Sequence, residues 1–361
     1  MSAPRLQPGI SSIVPYKGGE STVEGVERII KLSSNESPLG PSPKAVAAYQ
    51  SLAPALHRYP DGASGALIKA LARHHGLKPE GIICGNGSDE LISLLIQAFA
   101  GPGDEVLYSR HGFLMYPLAS MAHGATPVAA PESDLTTSVD DLLKLVTPKT
   151  RMVFLANPNN PTGTYLPQQE VRRLRQGLRE DILLVIDAAY AEYVNRNDYT
   201  PGVELVAAGE NTVMTRTFSK IYGLAALRVG WLYGPPRITE ALHRIRGAFN
   251  VNAPAQAAAV AALADIAHTD AARTHNDIWL PWLTRELSAL GLGVTPSVGN
   301  FLLIRFGKAP KDAASADKYL AARGILLRAM GAYQLGDCLR ATIGTEAENR
   351  ALVEALKAFL A

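Results

Sequence analysis

From about residue 64 the chain alternates helical stretches with short apolar runs, and few folds accommodate that pattern. "GALIKALARHHG" has helical spacing and is followed by the brief run "GIICGNG". In "SDELISLLIQAFAGPGDEVLYS" the apolar residues recur at helical spacing from Leu91 to Phe99. Gly101, Pro102 and Gly103 stop that helix, because glycine loses the most freedom on ordering and proline lacks the N–H that a helix needs. "EVLYS" then restarts as a strand, and "TPVAA", "RMVFLA", "ILLVID" and "NTVMTR" repeat the theme, with helical sequence such as "QQEVRRLRQGLRED" between them. Such runs suit strands buried on both faces. The pattern predicts an α/β fold, a mainly parallel sheet covered by helices on both sides.

After about residue 235 the sequence becomes helix-rich, including "PAQAAAVAALADIAHTDAARTHNDIWLPWLTRELSALG". Three short strand candidates follow, "NFLLIRF", "GILLRAM" and "CLRATIG", and then a closing helix from Glu346. This reads as a smaller α+β domain. The first 44 residues include Pro8, Pro15, Pro38 and Pro41 with little periodicity, which predicts an extended arm. A chain of 361 residues is about two domains' worth. The expected division is an arm over 1–44, a large α/β domain over 45–255 and a small α+β domain over 256–361.

Lys and Arg number 35 against 33 Asp and Glu, so a net charge of +2 gives no electrostatic reason to expect nucleic acid or an anionic membrane as partner. Small molecules are the expected partners. No apolar run reaches spanning length and "MSAPRLQPGISSIVPY" has no signal pattern, so a cytoplasmic location is expected. Cys84 and Cys338 fit neither a metal spacing nor a redox pair and read as small apolar residues. His74 and His75 are adjacent, point in different directions from a helix, and lack an HExxH or Cys/His cluster; no metal is expected.

In open α/β sheets ligands bind beyond the carboxyl ends of the strands, which directs attention to the residues after each apolar run. After "IIC", the sequence "GNGSDE" offers a tight turn and a helix start at Ser88 and Asp89, whose free N–H groups suit a phosphate. After "RMVFLA", "NPNNPTG" fixes a turn and presents Asn160. "ILLVID" ends on Asp187, with Tyr190 three residues later. "NTVMTR" leads to Thr217, Ser219 and Lys220, with Arg228 behind. Hydroxyls and a guanidinium suit a phosphate, and a lysine amine forms a Schiff base with an aldehyde. One ligand uses all four places: pyridoxal phosphate needs a phosphate cradle, an acid for its pyridine nitrogen, donors for its ring oxygen and a lysine for its aldehyde.

These motifs, with "KLSSNESPLGPSP", "RYPDG", "DAAYAEY", "RTFSKIYGLAALRVGW", "FNVNAPAQ" and "LRATIGTEAEN", run almost the full chain. In that order they resemble the fold type I aminotransferases, in the class II subgroup and nearest the members that act on histidinol phosphate. The resemblance implies a large cofactor domain, a small domain built from both chain ends, and a homodimer with shared active sites. It makes Lys220 the Schiff-base lysine and general base, Asp187 the pyridinium partner, and Tyr190 and Asn160 the donors to the ring oxygen. It gives the phosphate to Thr217, Ser219, Arg228, Ser88 and Asp89, the ring stack to Phe113, and a contact with the neighbouring subunit's phosphate to Tyr59. Arg340 and Arg328 match arginines that grip substrate anions, and Tyr16, Asn35 and Glu36 match arm residues near the substrate side chain.

The same likeness implies an amino donor and an oxo-acid acceptor, with histidinol phosphate and 2-oxoglutarate giving imidazole acetol phosphate and glutamate. Ala226 and Ala248 depart from the family's frequent glycine and proline. Other readings stay open on sequence: an aromatic amino acid aminotransferase, a threonine-phosphate decarboxylase, or a cofactor-binding protein without turnover.

Overall fold

The computed structural model describes residues 4–7 and 9–361, organised by two main sheets. Strands β1 (Ile82–Gly85), β2 (Glu105–Ser109), β3 (Thr126–Ala130), β4 (Thr150–Ala156), β5 (Leu183–Asp187), β6 (Thr212–Thr217) and β7 (Gly230–Tyr233) form one sheet, in the order β1-β7-β6-β5-β4-β2-β3. Neighbours are parallel except at β7, which pairs antiparallel with both β1 and β6. Six of these strands coincide with the apolar runs. The seventh, "GWLY", begins with the last two residues of "RTFSKIYGLAALRVGW" and continues to Tyr233.

Side chains alternate across this sheet with the two-residue period of a strand. Leu184 and Ile186 of β5 pack with Val171 and Leu174 of helix α5 (Gln168–Gly177), while Val185 between them packs with Leu91 and Ile92 on the other face. Helices α1 (Pro43–Ser51) and α2 (Gly65–His75) share a face with α5; α3 (Ser88–Phe99), α4 (Met115–Ala122) and α6 (Pro236–Ile245) take the opposite one. Every residue of β1, β5, β6 and β7 is buried. At about 1.5–3 kcal/mol for each large apolar side chain, these two layers drive the fold. His75, at the end of α2, stacks on Trp231 at 5.0 Å between ring centroids, and burial pushes its pKa down to about 3. It is a neutral packing residue.

The second sheet, β8 (Gly293–Val294), β9 (Phe301–Arg305), β10 (Arg328–Ala329) and β11 (Cys338–Thr342), is antiparallel in the order β8-β9-β11-β10. "GILLRAM" therefore does not form one strand: Ile325 and Leu326 pair in parallel with Ile30 and Lys31 of the arm, and only Arg328 and Ala329 join β11. The arm is tied down further by the Thr342 N–H donating to Leu32 O at 2.8 Å, and the Leu32 side chain enters the core beneath this sheet.

Helix α7 (Ala253–Ala264) packs on α1 and α2 and places Ala255, Ala258 and Ala262 in the core of the large sheet. The boundary expected at 255/256 thus falls inside a helix that belongs, by its packing, with the large sheet. The change of partners comes along α8 (Ile266–Ala289): Ala272 packs with the large sheet, Leu283 and Leu287 with the small one. Helix α9 (Glu346–Leu360) closes the small layer.

Candidate active site

The carboxyl ends of β1, β2, β4, β5 and β6 and the start of β7 converge on one pocket. Lys220, Asp187, Tyr190, Asn160, Phe113, Ser88, Asp89, Thr217, Ser219, Arg228, Tyr16, Asn35, Glu36, Arg328 and Arg340 all line it. Strand alternation sorts the residues of β6: Thr217 turns toward this pocket, while Arg216 beside it turns to the opposite face and pairs with buried Glu192 at 2.8 Å.

At one end lies an anion cradle. Thr217 Oγ1 donates to Ser219 Oγ at 3.0 Å and accepts from the Ser219 N–H at 3.1 Å. Arg228 donates to Ser219 Oγ at 3.3 Å and to Asp89 Oδ2 at 3.0 Å, so the Asp89 carboxylate holds the guanidinium and leaves the helix N–H groups for a ligand. Gly87, just before α3, has φ +80°, and a side chain there would collide with the Arg228 guanidinium. Gly230 opposite is equally confined, since a Cβ would sit 2.5 Å from the Ser88 nitrogen.

At the other end is Asp187, buried on the last position of β5. Its Oδ2 accepts from the Tyr116 hydroxyl at 2.7 Å, and its Oδ1 has no hydrogen-bond partner. Burial pushes its pKa up to about 6, although the Tyr116 hydrogen bond opposes that rise. An unpartnered buried carboxylate oxygen is costly unless a donor arrives. A protonated ring nitrogen is such a donor.

Lys220 lies between these ends, half-buried, its Nζ 3.5 Å from Ser34 O and 5.5 Å from the centroid of the Tyr190 ring. The Tyr190 hydroxyl accepts from Asn35 Nδ2 at 2.9 Å, leaving its own proton to donate. Asn35 is itself fixed, its N–H on Thr342 Oγ1 at 2.8 Å and its carbonyl accepting from Asn300 Nδ2 at 3.1 Å. The small sheet thereby positions a side chain of the large one.

Arg340 comes from β11 and is buried, with burial lowering its pKa from the usual arginine value. Its guanidinium donates to Ser33 O at 3.0 Å and to Asn160 Oδ1, its Nε is unpartnered, and among the described residues it meets no carboxylate. A buried cation without an anion calls for an anionic ligand. Arg328, at the rim over the Tyr16 ring, donates to Lys17 O, and Glu36 is paired with Lys31 at 2.7 Å.

Tyr59 alone among the sequence-derived residues lies outside this pocket. It is 84% exposed and stacks on Phe249 at 4.7 Å in an open groove that Ala226 and Ala248 also line. Conversely, Tyr116, Asn300 and Ser33 escaped the sequence reading. Tyr116 had a faint signal, three residues after Phe113 and so one helical turn on.

Cradle, lysine, buried acid and buried arginine on this sheet define a class of enzyme, and the chain belongs to the class I and II aminotransferase family, whose model matches residues 27–356. It is 61% identical to the histidinol-phosphate aminotransferase of Paramagnetospirillum magneticum over 361 residues, 100% of this chain and 99% of that one. With the histidinol-phosphate aminotransferase of Rhodopseudomonas palustris strain HaA2 the identity is 55% over 363 residues, covering 100% of both. The crystal structure of histidinol-phosphate aminotransferase from Sinorhizobium meliloti in complex with pyridoxal-5'-phosphate superposes with a TM-score of 0.90 at 31% identity, over 99% of this chain and 98% of that one.

Proposed function

We propose that this chain is a pyridoxal-phosphate-dependent aminotransferase that interconverts histidinol phosphate and 2-oxoglutarate with imidazole acetol phosphate and glutamate, in histidine biosynthesis in the cytoplasm. The observation that carries the reading is the pairing, in one pocket, of Lys220 with a buried arginine that has no carboxylate partner among the described residues. The shared full-length identity with the relatives above supports this substrate over an aromatic amino acid.

Pyridoxal phosphate, when bound, supplies an electron sink for a carbanion at the substrate Cα. Thr217, Ser219, Arg228 and the N–H groups at Ser88 and Asp89 would hold its phosphate, Asp187 would accept from its ring nitrogen, Tyr190 and Asn160 would donate to its ring oxygen, and Phe113 would pack against its ring. Lys220 would take the proton from substrate Cα and deliver it to the cofactor's former aldehyde carbon, across the nitrogen between them, the work of a general base and acid. Arg340 grips the carboxylate of glutamate or 2-oxoglutarate, and Arg328 with the arm residues Tyr16, Asn35 and Glu36 surrounds the other end of the substrate. Guanidinium forks suit carboxylate and phosphate alike, so one pocket serves both half-reactions.

The division of labour implies two domains, with the arm belonging to the small one, and a homodimer in which Tyr59 reaches the partner's cofactor. The test is a single half-reaction. Cofactor-loaded protein is mixed with histidinol phosphate, or separately with phenylalanine, without any oxo acid, and loss of the cofactor's visible absorption is followed. A much larger rate constant over concentration for histidinol phosphate is expected. Phenylalanine matching it would make the chain an aromatic aminotransferase, and no change with either would end the transaminase reading.

A further inference from the structure

Tyr116 is fully buried in the first turn of α4, yet it places its hydroxyl in the pocket. Its ring stacks on Phe154 of β4 at 4.6 Å with 13° between planes, and meets Phe113 edge-on at 5.9 Å and 90°. The backbone adds a second restraint, with the Tyr116 N–H donating to Phe113 O at 3.0 Å. A ring fixed on two sides leaves the hydroxyl one position, 2.7 Å from Asp187 Oδ2. That bond occupies one carboxylate oxygen and leaves Oδ1 unpartnered.

We infer that Tyr116 is a positioning residue for Asp187, holding one oxygen of the carboxylate so that the other faces the ring nitrogen of the cofactor. The inference rests on the cofactor reading above. The Tyr116 ring also packs perpendicular to Phe113, so one buried side chain touches both Asp187 and the aromatic residue proposed to stack on the cofactor. As a hydroxyl donor to the charged form, Tyr116 favours ionised Asp187. The other titratable groups facing this pair are Asp89 from α3, Tyr190 and Tyr199 beyond β5, Tyr333 from the small-sheet side and Lys220 in the pocket.

The experiment measures the dissociation constant of pyridoxal phosphate from the cofactor-free full-length protein across pH 5 to 8, by equilibrium dialysis, in wild type, Tyr116→Phe, Tyr108→Phe and Asp187→Asn. Ionisations of the ligand are common to all four and cancel in the comparison. For Tyr116→Phe, which keeps the ring, we expect affinity about tenfold weaker near neutral pH and the acid-side loss of affinity moved up by about one pH unit, the scale of a hydrogen bond to a charged group. Tyr108→Phe, which removes a hydroxyl from a neighbouring ring in edge contact at 6.4 Å, is expected to follow wild type. A Tyr116→Phe profile superimposed on wild type overturns the inference. So does an equal shift in Tyr108→Phe, which would mark a general packing effect. Failure of the cofactor reading looks different: wild type itself takes up no pyridoxal phosphate, or Asp187→Asn binds it as wild type does at every pH.

Discussion

Burial drives the Asp187 carboxyl up to about 6, so the protein carries this group at a cost until a cation meets it. The sign follows from the direction of the shift. A carboxyl whose folded pKa lies above its unfolded value contributes stability below about pH 4, and that contribution is lost as pH rises through about 6. Asp187→Asn is therefore expected to stabilise the cofactor-free protein at pH 7 by up to about 3 kcal/mol, with the gain vanishing near pH 4. Urea unfolding at the two pH values checks this, and a variant less stable than wild type at pH 7 contradicts it. Asp187, Tyr190 and Lys220 were legible in the sequence because they sit just beyond apolar runs, where an open α/β sheet binds its ligands. Tyr116 was not, because its hydroxyl acts on a residue of another strand, and nothing local encodes that contact.

Among the elements, helix α3 shows how local sequence and tertiary contact combine. "GNGSDE" specifies a turn and a helix start, and Asp89 and Glu90 in its first turn complement the helix dipole. Only the fold brings Arg228 against Gly87, so that a Cβ there would displace the guanidinium. Gly87→Ala forces a left-handed φ on a residue with a Cβ, at about 1–2 kcal/mol, and pushes the guanidinium out of the cradle. The expected result is a lower urea midpoint together with weaker pyridoxal phosphate binding. If stability fell while cofactor affinity held, the cradle would not include Arg228. Helix α9 is the opposite case, written entirely in local sequence: Thr345 caps it, accepting from the Glu348 N–H while Glu348 Oε2 accepts from the Thr345 N–H, and the helix begins at Glu346 as its sequence predicts. Strand β7 stayed hidden because an antiparallel strand of four residues between parallel neighbours leaves no separate pattern.

At the scale of the whole molecule, the groove around Tyr59 is an exposed apolar feature that the chain does not cover. Leu56, Tyr59 and Phe249 stand exposed there together, an apolar patch that suits the proposed homodimer interface. If the proposed homodimer forms through this groove, Phe249→Glu is expected to halve the mass seen by sedimentation equilibrium and to weaken cofactor binding, by separating Tyr59 from the second pocket. A monomeric wild type, or a variant that keeps its mass, counts against the homodimer. The sequence by itself determined the α/β architecture, because strand and helix periods are properties of neighbouring residues, and it picked out the candidate residues after the strands that the pocket gathers, because chain order puts them at the strand ends. Beyond the family resemblance, only the tertiary structure decided by which contacts the arm and the small sheet complete the pocket. Asn35 reaches Tyr190 across 155 positions and Arg340 reaches Asn160 across 180, and at such separations only the packing of two cores brings the partners within bonding distance.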